Sequence, residues 1–396
     1  MFLFSWCASP VSNDLTDDTL EPVVKYNEIQ GTKGESPVEG LFDVGPASST
    51  RSGSSRASGS RLQSFLESLN DFEKVESEAI SLMTSELGHR SFLVEVNEVI
   101  HKKPLCRTGH CQISTGKWHG QTVALKELNI DPANTKRLLD ATRDLTQEMH
   151  IMSQISHPCL VKLLGANLGT NPFVLTEFME HRDVETYMRQ RREVSGFYKP
   201  RFGLAKSWAI STGRALAYLH GLKHPIIHRD VKPLNLFLGR NLEVKLGDFG
   251  LCKAMPRRCS TSSSPAPRMT GQVGTWRYMA PEVVRREHYN EKVDIYSFGL
   301  ILYFIFSGKQ PWFAVGDDEQ AILKAYIEGK DPRPSLDSSV GTCELRDFLP
   351  NFWHRDADQR PSAQECVEKL ASMELPSMKD TIQMWTRRLM SRSRAN

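Results

Sequence analysis

The 396-residue chain has no hydrophobic run that approaches the length of a bilayer-spanning segment, so no transmembrane segment is expected. It has no Cys-x-x-Cys pair and no cluster of His and Cys. Its eight cysteines are scattered, which argues against a structural zinc site or a disulfide framework. They read as free thiols in a reducing, cytoplasmic setting. An excess of one charge is also missing: 50 basic against 47 acidic residues leave a net charge of +3. That balance gives no case for nucleic acid or an anionic membrane as partner. No internal repeat is visible. The first residues, Met1 to Cys7, are apolar but few and lack a basic flank, so a secretory signal is not expected. What is present is the ordinary composition of a globular protein, 39% hydrophobic and 24% charged. The length suits two or three domain-sized units.

The character of the chain changes along its length. Residues 1–61 include the run Gly45 to Ser60, built almost wholly of Gly, Ser, Ala and Arg. Such a segment buries too little to offset the entropy of ordering, and a disordered arm is expected. Its serines beside arginines read as linker or as phosphorylation sites. In residues 62–90, Leu62, Phe65, Leu66, Leu69, Phe72 and Val75 recur at helical spacing among acidic residues, predicting an amphipathic helix. That helix packs on the next domain, or residues 62–83 serve a partner or self-association. From Ser91 the alternation of Phe92, Val94, Val96, Val99 and Leu105 predicts a first strand. Gln121 to Leu128 predicts another. A helix with Leu138, Leu139, Leu145, Met149, Met152 and Ile155 follows, closed by Ser156-His157-Pro158. Val161 to Leu164 and Phe173 to Thr176 read as strands. Beyond Asp183 the pattern is helical, most clearly from Trp208 to His220. The class is α+β: a small strand-rich lobe, then a larger helical one.

One stretch carries chemistry. His228-Arg229-Asp230-Val231-Lys232-Pro233-Leu234-Asn235 is followed by Asp248-Phe249-Gly250. A potential base, an ammonium group, an amide oxygen and a second carboxylate stand in order. Phosphoryl transfer from a magnesium nucleotide needs these groups, because the transferred group carries spread negative charge that must be positioned and neutralised. The run resembles the catalytic and metal-binding loops of eukaryotic protein kinases. Val123-Ala124-Leu125-Lys126 resembles the lysine strand of that family, and Gly274-Thr275-Trp276-Arg277-Tyr278-Met279-Ala280-Pro281-Glu282 the end of its activation segment. Gly116 to Gly120 and Asn235 to Leu238 look like the tyrosine-kinase-like group, which includes the Raf and mixed-lineage kinases.

The resemblance spans roughly residues 92–372 and implies a bilobal protein kinase fold. The domain would cover 91–372, with a small antiparallel lobe at about 91–178 carrying one regulatory helix. A mainly helical lobe would follow at about 182–372. It implies serine/threonine phosphorylation of protein substrates, with ATP and Mg2+ as cofactors. Asp230 would take or orient the substrate hydroxyl proton. Lys126 and Lys232 would hold phosphates, with Glu148 the partner of Lys126. Asn235 and Asp248 would bind the metal. Ile113, Ala124 and Phe237 would enclose the adenine, Thr176 would be the gatekeeper, and backbone groups of Glu177 and Met179 would bond the adenine edge. Arg229 would receive a phosphorylated activation segment, with Thr270 the preferred site. Glu282 with Arg360, and Asp294, would be scaffold. The basic tail 373–396 reads as a frayed end or as a contact for membrane or acidic partners.

The family pattern Gly-x-Gly-x-x-Gly is missing. The aligned run is Cys106-Arg107-Thr108-Gly109-His110-Cys111, with all three expected glycines replaced. Added Cβ atoms restrict a loop that must approach phosphates closely. This opens the alternative of a pseudokinase scaffold with weakened nucleotide binding. The two thiols read as buried and inert, or as sites of oxidation near the phosphates.

Overall fold

The computed structural model describes residues 94–108, 111–129, 135–167, 172–254, 276–311, 318–330 and 333–374. The arm, the predicted helix at 62–83, the activation-segment hydroxyls including Thr270, and most of the basic tail lie outside the described residues.

The small lobe is a five-stranded antiparallel sheet: β1 (Ile100–Thr108), β2 (Cys111–Trp118), β3 (Gln121–Leu128), β4 (Leu163–Asn167) and β5 (Phe173–Glu177), in the order β1-β2-β3-β5-β4. Its β2–β3 hairpin closes on the pair Trp118↔Gln121. The two linking residues both have positive φ, His119 at 47° and Gly120 at 79°, the condition for a tight turn that matches strand twist. Alternation along β3 sends Val123 and Leu125 into a core with Val94, Val99 and Phe173, and Ala124 and Lys126 to the other face. The first strand begins later than the alternation from Ser91 predicts. Val96–Glu98 is a 3₁₀ turn, closed by the Glu98 carboxylate accepting from Glu95 N–H at 3.0 Å. Val94 and Val99 are nonetheless buried. Burial, rather than strand pairing, accounts for their apolar character.

Helix α1 (Thr135–Gln154) crosses behind the sheet and ends before Ser156-His157-Pro158. Leu145, Met149 and Met152 form its buried stripe. The helical lobe holds α2 (Val184–Ser195), α3 (Phe202–His220), α4 (Pro281–Val284), α5 (Lys292–Ser307), α6 (Glu319–Ile327), α7 (Cys343–Phe348) and α8 (Ala363–Ser372). Between α3 and α4 run the short strands β6 (Ile226–Ile227), β7 (Leu236–Leu238), β8 (Val244–Leu246) and β9 (Lys253–Ala254). Helix α5 is apolar all round and buried from Val293 to Ser307, so it is the axis of the lobe. Close packing of α3 on α8 depends on Gly213, where a Cβ would meet Val367 at 2.8 Å. Ser362 and Glu365 form a capping box at the start of α8. One continuous core runs from Leu145 and Met149 in the small lobe to Leu370 and Met373 in the large one. The antiparallel small lobe with one helix, over a helical lobe, is the bilobal α+β architecture expected from the sequence. No helix among the described residues is long and apolar enough to cross a membrane.

Candidate active site

The site is assembled from both lobes. On the central strand β3, Lys126 stands opposite Ile113 of β2 and Val174 of β5. Its Nζ lies 2.7 Å from Glu148 Oε2 and 3.8 Å from Asp248 Oδ1. Glu148 is set by α1, three residues after Leu145 and four before Met152, on the face that turns inward. Lys126 is 3% exposed and Glu148 2%. Burial alone would pull the lysine down; the carboxylates of Glu148 and Asp248 outweigh it and push the ammonium group up to about 12.

The facing wall is the loop between β6 and β7. It carries Arg229 at φ +65°, a conformation that a non-glycine residue holds only when its surroundings impose it. The imposing group is Asp294 of α5. Its carboxylate accepts from His228 N–H at 2.9 Å, Arg229 N–H at 2.8 Å and His220 Nε2 at 2.8 Å. Burial opposes the charge, and these hydrogen bonds outweigh it and lower the Asp294 pKa. On the loop, Asp230 Oδ2 accepts from Lys232 Nζ at 2.8 Å and from Asn235 Nδ2 at 2.9 Å. Asn235 Nδ2 also donates to the Asp230 carbonyl at 2.8 Å. These bonds aim the amide oxygen away from the aspartate. Asn235 Oδ1 is buried and accepts no hydrogen bond. Asp248 follows β8 at φ +61°, while Phe249 is buried against the His228 ring, centroids 5.5 Å apart.

A buried amide oxygen without a donor, with Asp248 on the same cleft, is a hard-oxygen set suited to a divalent cation. Among the described residues no group of three or more His, Cys, Asp or Glu side chains is placed to hold a metal. Any ion here would draw its remaining ligands from phosphate oxygens and water.

Between the lobes lies a cleft open to solvent, lined by Ala124, Thr176, Glu177, Met179 and Phe237 together with Glu148 and Asp248. Ile113 packs with Ala124, Met179, Phe237 and Cys106 in one apolar cluster. The Glu177 carboxylate is engaged outward, accepting from Lys162 N–H at 2.7 Å and Lys245 Nζ at 2.6 Å. The Met179 carbonyl accepts from Arg182 N–H at 3.2 Å. Two lining residues, Met152 and Val161, were not among the sequence candidates. Met152 stood on the apolar stripe of α1, and Val161 reaches the cavity because its N–H donates to the Leu246 carbonyl at 2.9 Å.

Farther out, Arg360 donates to both oxygens of Glu282, at 2.5 and 3.1 Å. Arg229 is occupied, donating to the Leu251 carbonyl at 2.5 Å and to Tyr289 Oη at 3.3 Å. Cys106 and Cys111 are buried. Cys106, Cys111, Cys159, Cys252, Cys343 and Cys366 are all free thiols.

A five-stranded lobe presenting a lysine–glutamate pair to an Asp–Lys–Asn loop across a cavity defines the two-lobed kinase fold. The protein kinase domain family matches residues 107–370, and the chain belongs to that family. It is 33% identical over 271 residues to the serine/threonine-protein kinase VIK of Arabidopsis thaliana, covering 67% of this chain and 58% of that protein. Serine/threonine-protein kinase 12 of Arabidopsis thaliana is 31% identical, with 65% of this chain and 52% of that one covered. The probable serine/threonine-protein kinase drkC of Dictyostelium discoideum is 29% identical, with 71% and 35% covered. The matched region thus spans between 35% and 58% of the length of these relatives.

Proposed function

We propose that the protein transfers the γ-phosphate of ATP to serine or threonine hydroxyls of other proteins, with magnesium, in a reducing intracellular compartment. The observation that carries this reading is the buried Lys126–Glu148 pair facing the hydrogen-bonded Asp230–Lys232–Asn235 cluster. In this assignment Lys126 holds the α and β phosphates, and Glu148 and Asp248 keep its side chain aimed into the cleft. Asp230 orients the acceptor hydroxyl and receives its proton as the new P–O bond forms. Lys232, already bonded to Asp230, neutralises the transferring group. Magnesium, held by Asn235 Oδ1 and Asp248, would neutralise phosphate charge. Ala124 and Ile113 above and Phe237 below supply an apolar slot for the adenine ring, with Thr176 at its back. Residues 91–372 form the catalytic domain, with Glu282–Arg360 and Asp294 as its internal supports. Arg229 would exchange its bonds to the Leu251 carbonyl and Tyr289 Oη for a phosphate on the activation segment, with Thr270 the preferred site.

The test is transfer of radiolabelled phosphate from ATP to a generic basic protein, followed by phosphoamino-acid analysis. Phosphoserine and phosphothreonine are expected. ATP binding without transfer would return the chain to the scaffold reading that its altered phosphate loop raises.

A further inference from the structure

The third replaced glycine has a defined place in the fold. Cys111 opens β2 and is paired on both edges, with Thr108 of β1 and Leu128 of β3. Strand alternation puts its side chain on the same face as Ile113, the face that looks into the cleft. The side chain is 1% exposed. It lines a second hollow, open to solvent, together with Lys126, Leu145 and Glu148 of α1, and Gly250. Burial pushes the thiol up to about 11, so at neutral pH it is an uncharged space-filling group. A glycine at this position would leave that space open beside Lys126.

We propose that Cys111 is a positioning residue that sets how strongly the cleft holds the phosphate tail relative to the nucleoside. Its side chain faces a hollow that it shares with Lys126 and with Leu145 and Glu148 of helix α1. This inference rests on the nucleotide reading of the site. Room taken by the sulfur is room denied to phosphate near Lys126. Filling that hollow also supports the helix that delivers Glu148 to Lys126. The two effects pull in opposite directions: removing the side chain admits phosphate more readily and loosens the ion pair needed for transfer.

The experiment compares the full chain with Cys111→Gly and Cys111→Val. It measures calorimetric affinity for adenosine and for ADP with magnesium chloride, and the kcat and KM for ATP. For Cys111→Gly, ADP is expected to tighten several-fold and adenosine to stay within twofold, with KM and kcat both falling. For Cys111→Val, ADP should weaken several-fold and adenosine again hold. A loss of fold or packing alone would move adenosine and ADP together, and that result overturns the inference. So does an unchanged ADP-to-adenosine ratio across all three proteins. If the wild-type chain binds neither ligand, the nucleotide reading itself falls and takes this inference with it. Thermal unfolding of each variant identifies a protein too damaged to compare, and Cys111→Ser then replaces it with the same expected direction as glycine, in smaller measure.

Discussion

Asp230 is buried, and Lys232 and Asn235, which donate to its carboxylate, are held on its own loop. An isosteric Asp230→Asn exchange removes the base while leaving the loop hydrogen bonds mostly in place. Phosphate transfer should fall by roughly 10²–10⁴-fold, with the melting temperature within a few degrees of wild type; a steady-state kinase assay beside a thermal melt checks both. Asp183 is a different kind of buried carboxylate. It caps α2, accepting from Thr186 N–H at 2.7 Å, and its second oxygen is buried with no hydrogen bond. Burial raises its carboxyl from 3.8 to about 7, against the bond from Thr186. The folded protein therefore binds a proton that the unfolded chain has released between those values. Stability from this group is present below pH 4 and is lost as pH rises through about 7. Asp183→Asn keeps a capping oxygen and removes the charge. Its melting temperature should exceed wild type by a few degrees at pH 8, and the gap should close at pH 4–5. A gap that widens on acidification would show that the group is held charged.

At the scale of elements, the small helix α4 is tied to the loop before α8 by the Arg360–Glu282 pair. Arg360 is among the largest fully buried side chains. Arg360→Ala would strand the Glu282 carboxylate without its counter-charge, a loss of about 3–5 kcal/mol. At roughly 2–4 °C per kcal/mol for a domain of this size, the melt should drop by on the order of 10 °C, read by calorimetry. Helix α1 acts differently. Glu148→Gln shortens no contact but weakens the hold on Lys126, so transfer should fall at least tenfold while the fold persists. Much of this was legible because the determinants are local. His228 to Asn235 fit in one loop, and the alternation along β3 aims Lys126. The start of β1 was not legible: Val94 and Val99 look like strand residues because they are buried, and burial by a turn leaves the same apolar signature. Val161 was missed for another reason. Its place on the cavity is set by a backbone bond to Leu246, and no periodicity around Val161 encodes a partner so distant in sequence.

For the molecule as a whole, the cleft residues come from elements spread between β2 and β8, and beneath them one core joins α1, β4 and β5 to the helical lobe. A ligand filling the cavity should therefore stabilise both lobes at once. ADP with magnesium at a hundred times its dissociation constant should add about 2.7 kcal/mol and raise a single unfolding transition by roughly 5–10 °C. Two separate transitions, only one of which moves, would show that the lobes unfold independently. The relation between this domain and residues 1–93 was never open to sequence periodicity, since composition reports whether a segment can bury itself and not what it would bury against.

Asp294 sits in the most deeply packed helix and grips two successive amides of the loop above it. The unusual backbone at Arg229 is thus imposed from beneath, by groups that no substrate touches. Such a loop does not wait for an arriving molecule to give it shape. Encounter and capture should follow a single exponential whose rate scales linearly with ligand concentration, without the plateau that a slow isomerisation would impose.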